Sequence, residues 1–259
     1  MCVPQKDQQA LLERETMGIM QADQEAAFKG SLITKLFQQP DLTFDRPMPY
    51  IFVAVDPNGG GDSRFAIVSC VYDKGKVVIV GMEAIQTHKP SDYEEVLQQH
   101  LYTLGRKQKF RKCKFILMPE ANLGFEAHHI ERAAMRCQVG DRCVTMRDAE
   151  QPGLRTTHLV KEAMYIKTLD ALTDDRIHFW EELVVVNHEN TAEDLKRQLK
   201  EELQTYSVVV DQPKSLFAQA KKTFTGKIGG FQDDLVVCLQ LNILWHSDFF
   251  KDRKYAAYW

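Results

Sequence analysis

The chain has 259 residues, 44% hydrophobic and 27% charged, with a formal net charge of −3. This is the balance of an ordinary soluble globular protein. No apolar run approaches the roughly 18 residues that a bilayer span requires, and the acidic excess counts against binding an anionic partner by overall charge. Basic residues cluster only locally, at 106–114 and at Lys221-Lys222. The first residues, MCVPQKDQQALLERE, lack a secretory pattern, and the six cysteines form no C-x-x-C pair, so reduced intracellular thiols are expected. His128, His129, Cys137 and Cys143 match no standard zinc spacing.

In chain order, residues 8–38 carry an amphipathic helical pattern that Gly18 and Gly30 weaken. A proline-rich connector follows, and residues 1–48 are expected to form a helical linker segment ahead of a main domain over 49–259. Tyr50–Asp56 is an almost wholly apolar run, the signature of a strand buried on both faces, stopped by Pro57 and the glycines at 59–61. Residues 65–72 and 76–83, joined by Asp73-Lys74-Gly75, read as a hairpin. A helix should follow with Ser91 and Glu94 as a capping box, then a strand at 114–119, a helix at 125–137, a strand at 143–146 and a polar loop to Arg155. The remainder reads as a helix over 156–172, a strand at 176–179, a helix capped by Thr191, a loop at 221–230 rich in Lys, Gly and Thr, and a last helix over 232–246. An antiparallel triplet followed by βα units implies an α/β protein with a mixed sheet flanked by helices, in the order of the ribonuclease H-like fold.

Three positions stand out chemically. Asp56 ends the most buried strand, and Glu120 ends the fourth strand in the same manner, as F-I-L-M-P-E. Asp233 and Asp234 open the last helix ahead of Leu-Val-Val-Cys-Leu. Each has a plain structural reading, as a turn residue, a surface acid or helix caps. Together they bring like charges to one edge of the sheet, an arrangement that persists when a cation lies between them. Oxygen donors of this kind suit Mg²⁺ or Mn²⁺ rather than zinc, and two ions held there would serve phosphodiester hydrolysis. No G-x-x-x-x-G-K-[ST] motif occurs, so no P-loop ATPase is expected in this chain.

The ordered set F-V-A-V-D-P-N-G-G-G, I-L-M-P-E-A-N and G-G-F-Q-D-D-L-V-V resembles the C-terminal nuclease domain of herpesvirus terminase large subunits, and more distantly that of tailed phages, from about Tyr50 to His246. The resemblance implies an endonuclease that cuts concatemeric viral double-stranded DNA during genome packaging in the host nucleus, alongside other terminase subunits and the portal. It implies catalysis with two Mg²⁺ or Mn²⁺ ions held by Asp56, Glu120 and one of the pair Asp233 and Asp234, with Asp234 favoured as the direct ligand and Asp233 as the outer partner. The segment G-L-R-T-T-H-L-V-K also resembles a terminase feature and makes Lys161 a candidate for contacting water or phosphate. Candidate DNA contacts are Arg64, Arg147, Arg155, Lys221, Lys222 and Lys227. The segment 1–48 would then be the connection from a motor domain that this chain lacks. Two other readings stay open on the residues alone: a junction resolvase or recombinase with the same carboxylates, and a docking module without catalysis.

Overall fold

The structure, a computed structural model, describes residues 23–57, 63–87, 89–122, 125–211, 221–226 and 232–251. A short strand β1 (Asp23–Ala26) and helix α1 (Gly30–Gln38) precede β2 (Tyr50–Asp56), β3 (Phe65–Asp73) and β4 (Lys76–Ile85). Then come α2 (Pro90–Arg106), β5 (Lys114–Pro119), α3 (Phe125–Arg136), β6 (Cys143–Thr145) and a small hairpin, β7 (Arg147–Asp148) and β8 (Gln151–Pro152). Helix α4 (His158–Thr173), β9 (Ile177–Val184), α5 (Ala192–Thr205), β10 (Ser207–Asp211), β11 (Lys221–Thr225) and α6 (Asp234–Lys251) complete the order.

Six strands form the main sheet in the order β6-β5-β2-β3-β4-β9. The triplet β2-β3-β4 is antiparallel, while β5 is parallel to β2, β6 to β5 and β9 to β4. The apolar runs are explained by burial on both faces. Ile51, Val53 and Val55 pack with Leu97, Leu101, Leu104 and Ile130 of α2 and α3. The alternate residues Phe52 and Ala54 pack with Leu235, Cys238 and Leu239 of α6 and with residues of α1, α4 and α5. Helix α6 is apolar around most of its circumference because it is enclosed, as such helices are. Among the described residues no helix is long and apolar enough to cross a membrane.

The mixed sheet, the β2–β5 adjacency and the turn at Asp73-Lys74-Gly75 agree with the sequence reading. Lys74 and Gly75 both take positive φ there, 51° and 81°, as a two-residue hairpin turn of matching twist requires. Three expectations need correction, and one strand was not anticipated. Of the helix expected over 8–38, residues 8–22 lie outside the described residues, Asp23–Ala26 is a strand, and Gly30–Gln38 is helical. Pairing of β1 with Val208–Val210 overrides the local pattern, and Gly30 opens the helix instead of interrupting it. Residues 23–48 also supply Phe28, Ile33 and Leu36 to one core cluster and Phe44 and Met48 to the other. Second, Ser91 and Glu94 form no capping box: α2 begins two residues earlier, with Lys89 at the cap position, Pro90 in its first turn and no side-chain cap, because the ring fixes φ near the helical value. The capping box of this fold is Thr191 with Asp194. Third, Lys221–Thr225 is a strand, not a loop, in a second antiparallel sheet, β1-β10-β11. Finally, the run Ser207–Asp211 was not anticipated as β10, whose partners on both sides are short and polar.

On the α2 face, Ser69 Oγ and His100 Nε2 are 2.8 Å apart, as are His100 Nδ1 and Glu83 Oε1. Glu83 also accepts from the backbone amides of Val186 and Asn187. The order resembles a hydrolase triad, but all three side chains are fully buried, so no substrate reaches them, and they tie α2 and the chain after β9 to the sheet.

Helix α6 is anchored by Glu202 of α5, whose Oε2 accepts from the amides of Leu235 at 2.8 Å and Val236 at 3.1 Å. These are first-turn donors with no partner inside the helix. Burial raises the Glu202 carboxyl from 4.5 to about 7. Hydrogen bonds from Gln198 and the Val236 and Leu235 amides oppose the shift, and the charge of Asp234 adds to it. A carboxyl that binds its proton more tightly when folded contributes stability that is fully present below pH 4.5 and is lost as pH rises through about 7. In chelator, the melting temperature of the native protein relative to Glu202→Gln should therefore fall across that window, and parallel profiles would contradict this account of the anchor.

Candidate active site

Strand parity builds the site. Residues 52, 54 and 56 of β2 share one face, as do 116, 118 and 120 at and just beyond β5, and the apolar members of both sets contact the α6 cluster. The two strands run parallel with Val55 opposite Pro119, and the Glu120 amide donates to the Val55 carbonyl at 2.8 Å. Asp56 and Glu120 therefore leave neighbouring strands at the same level, about 5 Å apart in backbone spacing, on the side that α6 covers. Asp56 is only 6% exposed and Asp234, in the first turn of α6, is fully buried.

Each acid is held by donors. Asp234 accepts from Ser63 Oγ at 2.8 Å and from the Arg64 amide at 3.0 Å. Glu120 accepts from Asn122 Nδ2 at 2.9 Å and from the Thr156 hydroxyl. Asp233 plays a different part. Its Oδ2 accepts from the Gly226 amide at 2.8 Å, tying the end of β11 to the start of α6. Cys238, one turn beyond Asp234, places its thiol 3.4 Å from the carbonyl of Ala66, the residue opposite Asp56 in β3. Burial pushes this thiol well above its ordinary value. The charges of Asp56, Glu120 and Asp234 push the same way, and a backbone hydrogen bond at Asp56 opposes them. The Cys238 contact sets the first turns of α6, which carry Asp234, against the residue opposite Asp56.

The fold around this edge is that of known nucleases. The human cytomegalovirus terminase nuclease domain, manganese-soaked and inhibitor-bound, superposes with a TM-score of 0.63 at 13% identity, over 89% of this chain and 97% of that one. A further structure of the same domain gives 0.60 at 13% identity, over 89% and 98%. The large terminase nuclease of the thermophilic phage G20c with bound magnesium gives 0.52 at 13% identity, over 87% and 97%. This chain has the ribonuclease H-like fold of terminase nucleases. No protein-family model and no curated protein sequence matches it.

Within this terminase nuclease fold, the other anticipated residues are dispersed. Arg64 lies beside Asp234 through its backbone. Arg147 is engaged: its guanidinium pairs with Glu131 at 2.5 Å and donates to the Glu150 carbonyl. Arg155 is exposed and lines an open cleft of about 500 Å³ with Glu150, Gly153 and Ala121, the residue that follows Glu120. Lys161 is half-buried in the first turn of α4, five residues beyond Thr156. Lys222 is exposed on β11, a strand set against the same end of α4 by Phe224, which lies near His158 and Tyr165. Lys221 is in β11 too, and Lys227 lies outside the described residues. Five contributors were not anticipated. Asn122 and Thr156 stand inside the motifs that carry the terminase resemblance, so their signal was present. Ser63 lies seven residues beyond Asp56 and Cys238 one turn beyond Asp234, and Glu202 looks in sequence like any surface acid of an amphipathic helix.

Among the described residues, no three His, Cys, Asp or Glu side chains are drawn together closely enough to hold an ion as they stand. The donor set itself, three carboxylates on one edge with two of them buried, fits a hard divalent cation. Ligation asks Glu120 and Asp234 to turn from the hydroxyl and amide donors that hold them.

The β7–β8 hairpin braces Glu120 from outside the sheet. The Leu154 amide donates to the Pro119 carbonyl and the Ala121 amide to the Leu154 carbonyl. Gly153 makes the approach feasible: its φ is +85°, and a Cβ there would lie 2.2 Å from the Pro119 carbonyl oxygen. Gly153→Ala should cost on the order of 2 kcal/mol or more, whereas Gly30→Ala, whose Cβ meets nothing within 4 Å, should be neutral or stabilising. Equal denaturation midpoints for the two variants would contradict the bracing role.

Proposed function

We propose that this chain is the nuclease domain of a viral DNA-packaging terminase, a divalent-metal-dependent endonuclease that cuts concatemeric double-stranded viral DNA. The observation that carries this reading is the placement of Asp56 and Glu120 side by side on parallel strands under the Asp234-bearing turn of α6, in a chain with the terminase nuclease fold.

In this reading Asp56, Glu120 and Asp234 hold two Mg²⁺ or Mn²⁺ ions, which supply Lewis-acid polarisation of the phosphodiester and a nucleophile derived from water. Asp233 holds the end of β11 against α6 through the Gly226 amide and so positions Asp234. Asn122 and Thr156 orient Glu120, and Ser63 and the Arg64 amide orient Asp234. Arg64, Arg155, Lys221, Lys222 and Lys227 contact the DNA backbone, with Lys161 reaching the scissile phosphate or its attacking water. Arg147 acts indirectly by fixing the hairpin through Glu131. Phosphate contacts carry no base information, which suits cutting at many sequences. The assembled motor would add other terminase subunits and the portal, in the host nucleus.

Plasmid nicking and linearisation with Mn²⁺ or Mg²⁺ against EDTA tests this directly. Cleavage should need the metal and should fall at least about 100-fold in Asp56→Ala, Glu120→Ala and Asp234→Ala, a loss of about 3 kcal/mol or more in transition-state stabilisation. Those variants should keep the native melting profile, because removing one of several crowded like charges relieves repulsion. Retained cutting in any of the three would remove that residue from the site, and metal-independent cutting by the unaltered protein would overturn the reading.

A further inference from the structure

At the end of the sheet opposite the three acids lies a cleft that the proposed function does not use. Helices α4 and α6 both lead to it from the acid edge. His246 follows Asp234 by twelve residues along α6, which is about 18 Å of helix. The β3–β4 turn closes the cleft on one side. Arg176, just ahead of β9, is tied to that turn because its carbonyl accepts from the Val77 amide at 2.7 Å. The Tyr72 ring, near the end of β3, stacks on His246 with centroids 3.4 Å apart, and the Tyr72 hydroxyl donates to the Asn242 carbonyl. The cleft has a volume of about 520 Å³ and is lined by three cations, Lys74, Lys167 and Arg176, and by one acid, Asp170, against a wall of Tyr72 and His246. That volume is in the range of small-ligand sites.

We propose that this cleft binds phosphate groups, those of a small phosphate compound or of a nucleic-acid backbone. Its charge supports the assignment. Three cations drawn into one concavity repel one another, and an anion between them relieves that repulsion. Ammonium and guanidinium groups are also the side-chain donors that suit phosphate oxygens. Two of the cations have acidic neighbours beyond the cleft lining: Lys74 donates to Asp45 at 3.0 Å, and Arg176 pairs with Asp174 at 3.3 Å. All four of these side chains are exposed, and exposed pairs are held weakly, so both cations can turn to a ligand. The acid of the turn itself, Asp73, accepts from Arg46 at 2.8 Å. Burial and the charge of Lys167 hold the His246 imidazole down to about 4, so at neutral pH the ring is an uncharged wall and the positive charge comes from Lys74, Lys167 and Arg176. A Cβ at Gly75 meets nothing within 4 Å, which leaves the rim open beside Lys74. Binding here needs no metal and does not depend on the three acids.

The test titrates pyrophosphate into the whole chain in EDTA at neutral pH, followed by calorimetry, with melting profiles as the check of folding. Lys167→Met and Arg176→Gln keep much of the bulk of each side chain, and Lys74→Asn suits the positive φ of its position. The expected result is saturable binding by the unaltered protein, weakened at least about 5-fold in each folded variant. Lys89→Gln, at the start of α2 and outside the cleft lining, should bind as the unaltered protein does. A fluorescent DNA duplex titrated in the same buffer separates the two sources. Duplex affinity that falls in the same variants assigns the cleft to a nucleic-acid backbone, and duplex affinity that stays constant while pyrophosphate binding falls assigns it to a small phosphate compound. No saturable pyrophosphate binding up to about 10 mM, or equal binding by the unaltered protein and the folded cleft variants, would overturn the proposal.

Discussion

The parallel pairing of β2 with β5 is the constraint on which this molecule turns. Parallel strands end in the same direction, so acids placed just past both of them must share an edge. The hydrogen bond from the Glu120 amide to the Val55 carbonyl extends the ladder to its last rung and fixes how near Asp56 and Glu120 come. A parallel pair needs a crossover connection, which α2 supplies, and that helix seals one face of the sheet while α6 seals the other. Moving Glu120 by one residue would reverse its side and take it away from α6.

Bringing acids together under an apolar helix is costly, and the surrounding residues show how the cost is met. Asp234 is surrounded by donors from Ser63 and Arg64, Glu120 by Asn122 and Thr156, and Asp233 by the Gly226 amide. Glu202 takes the free amides at the start of α6 and, with burial raising its carboxyl to about 7, limits the negative charge added there. These contacts fix the side chains at the edge, as the phosphodiester site proposed above would need.

How much of this was legible in the sequence follows from the range of each interaction. The central strands were readable because burial on both faces leaves only apolar residues in a run, as at Tyr50–Asp56. The acids were readable because a carboxylate is conspicuous at the end of such a run. The strands β1, β10 and β11 were not, since each is short and is specified by its neighbours across the sheet: Asp23-Gln24-Glu25-Ala26 has no strand pattern of its own and exists through Ser207–Val210. The start of α2 was misplaced because Pro90 in the first turn outweighed the Ser91 and Glu94 spacing. Glu202 was invisible because its two partners lie more than thirty residues away. The pairing of Arg147 with Glu131 was not legible either, since a long cationic side chain finds its partner in three dimensions.

The central claim is that Asp56, Glu120 and Asp234 together form a divalent-metal site. Crystals of the unaltered protein soaked in Mn²⁺, with data collected at the manganese absorption edge, test it most directly. The account predicts anomalous density bounded by the carboxylates of these three residues, with Glu120 and Asp234 turned from Thr156 and Ser63 toward the ion. Well-ordered crystals with no anomalous density there, or with manganese bound only elsewhere on the chain, would contradict it.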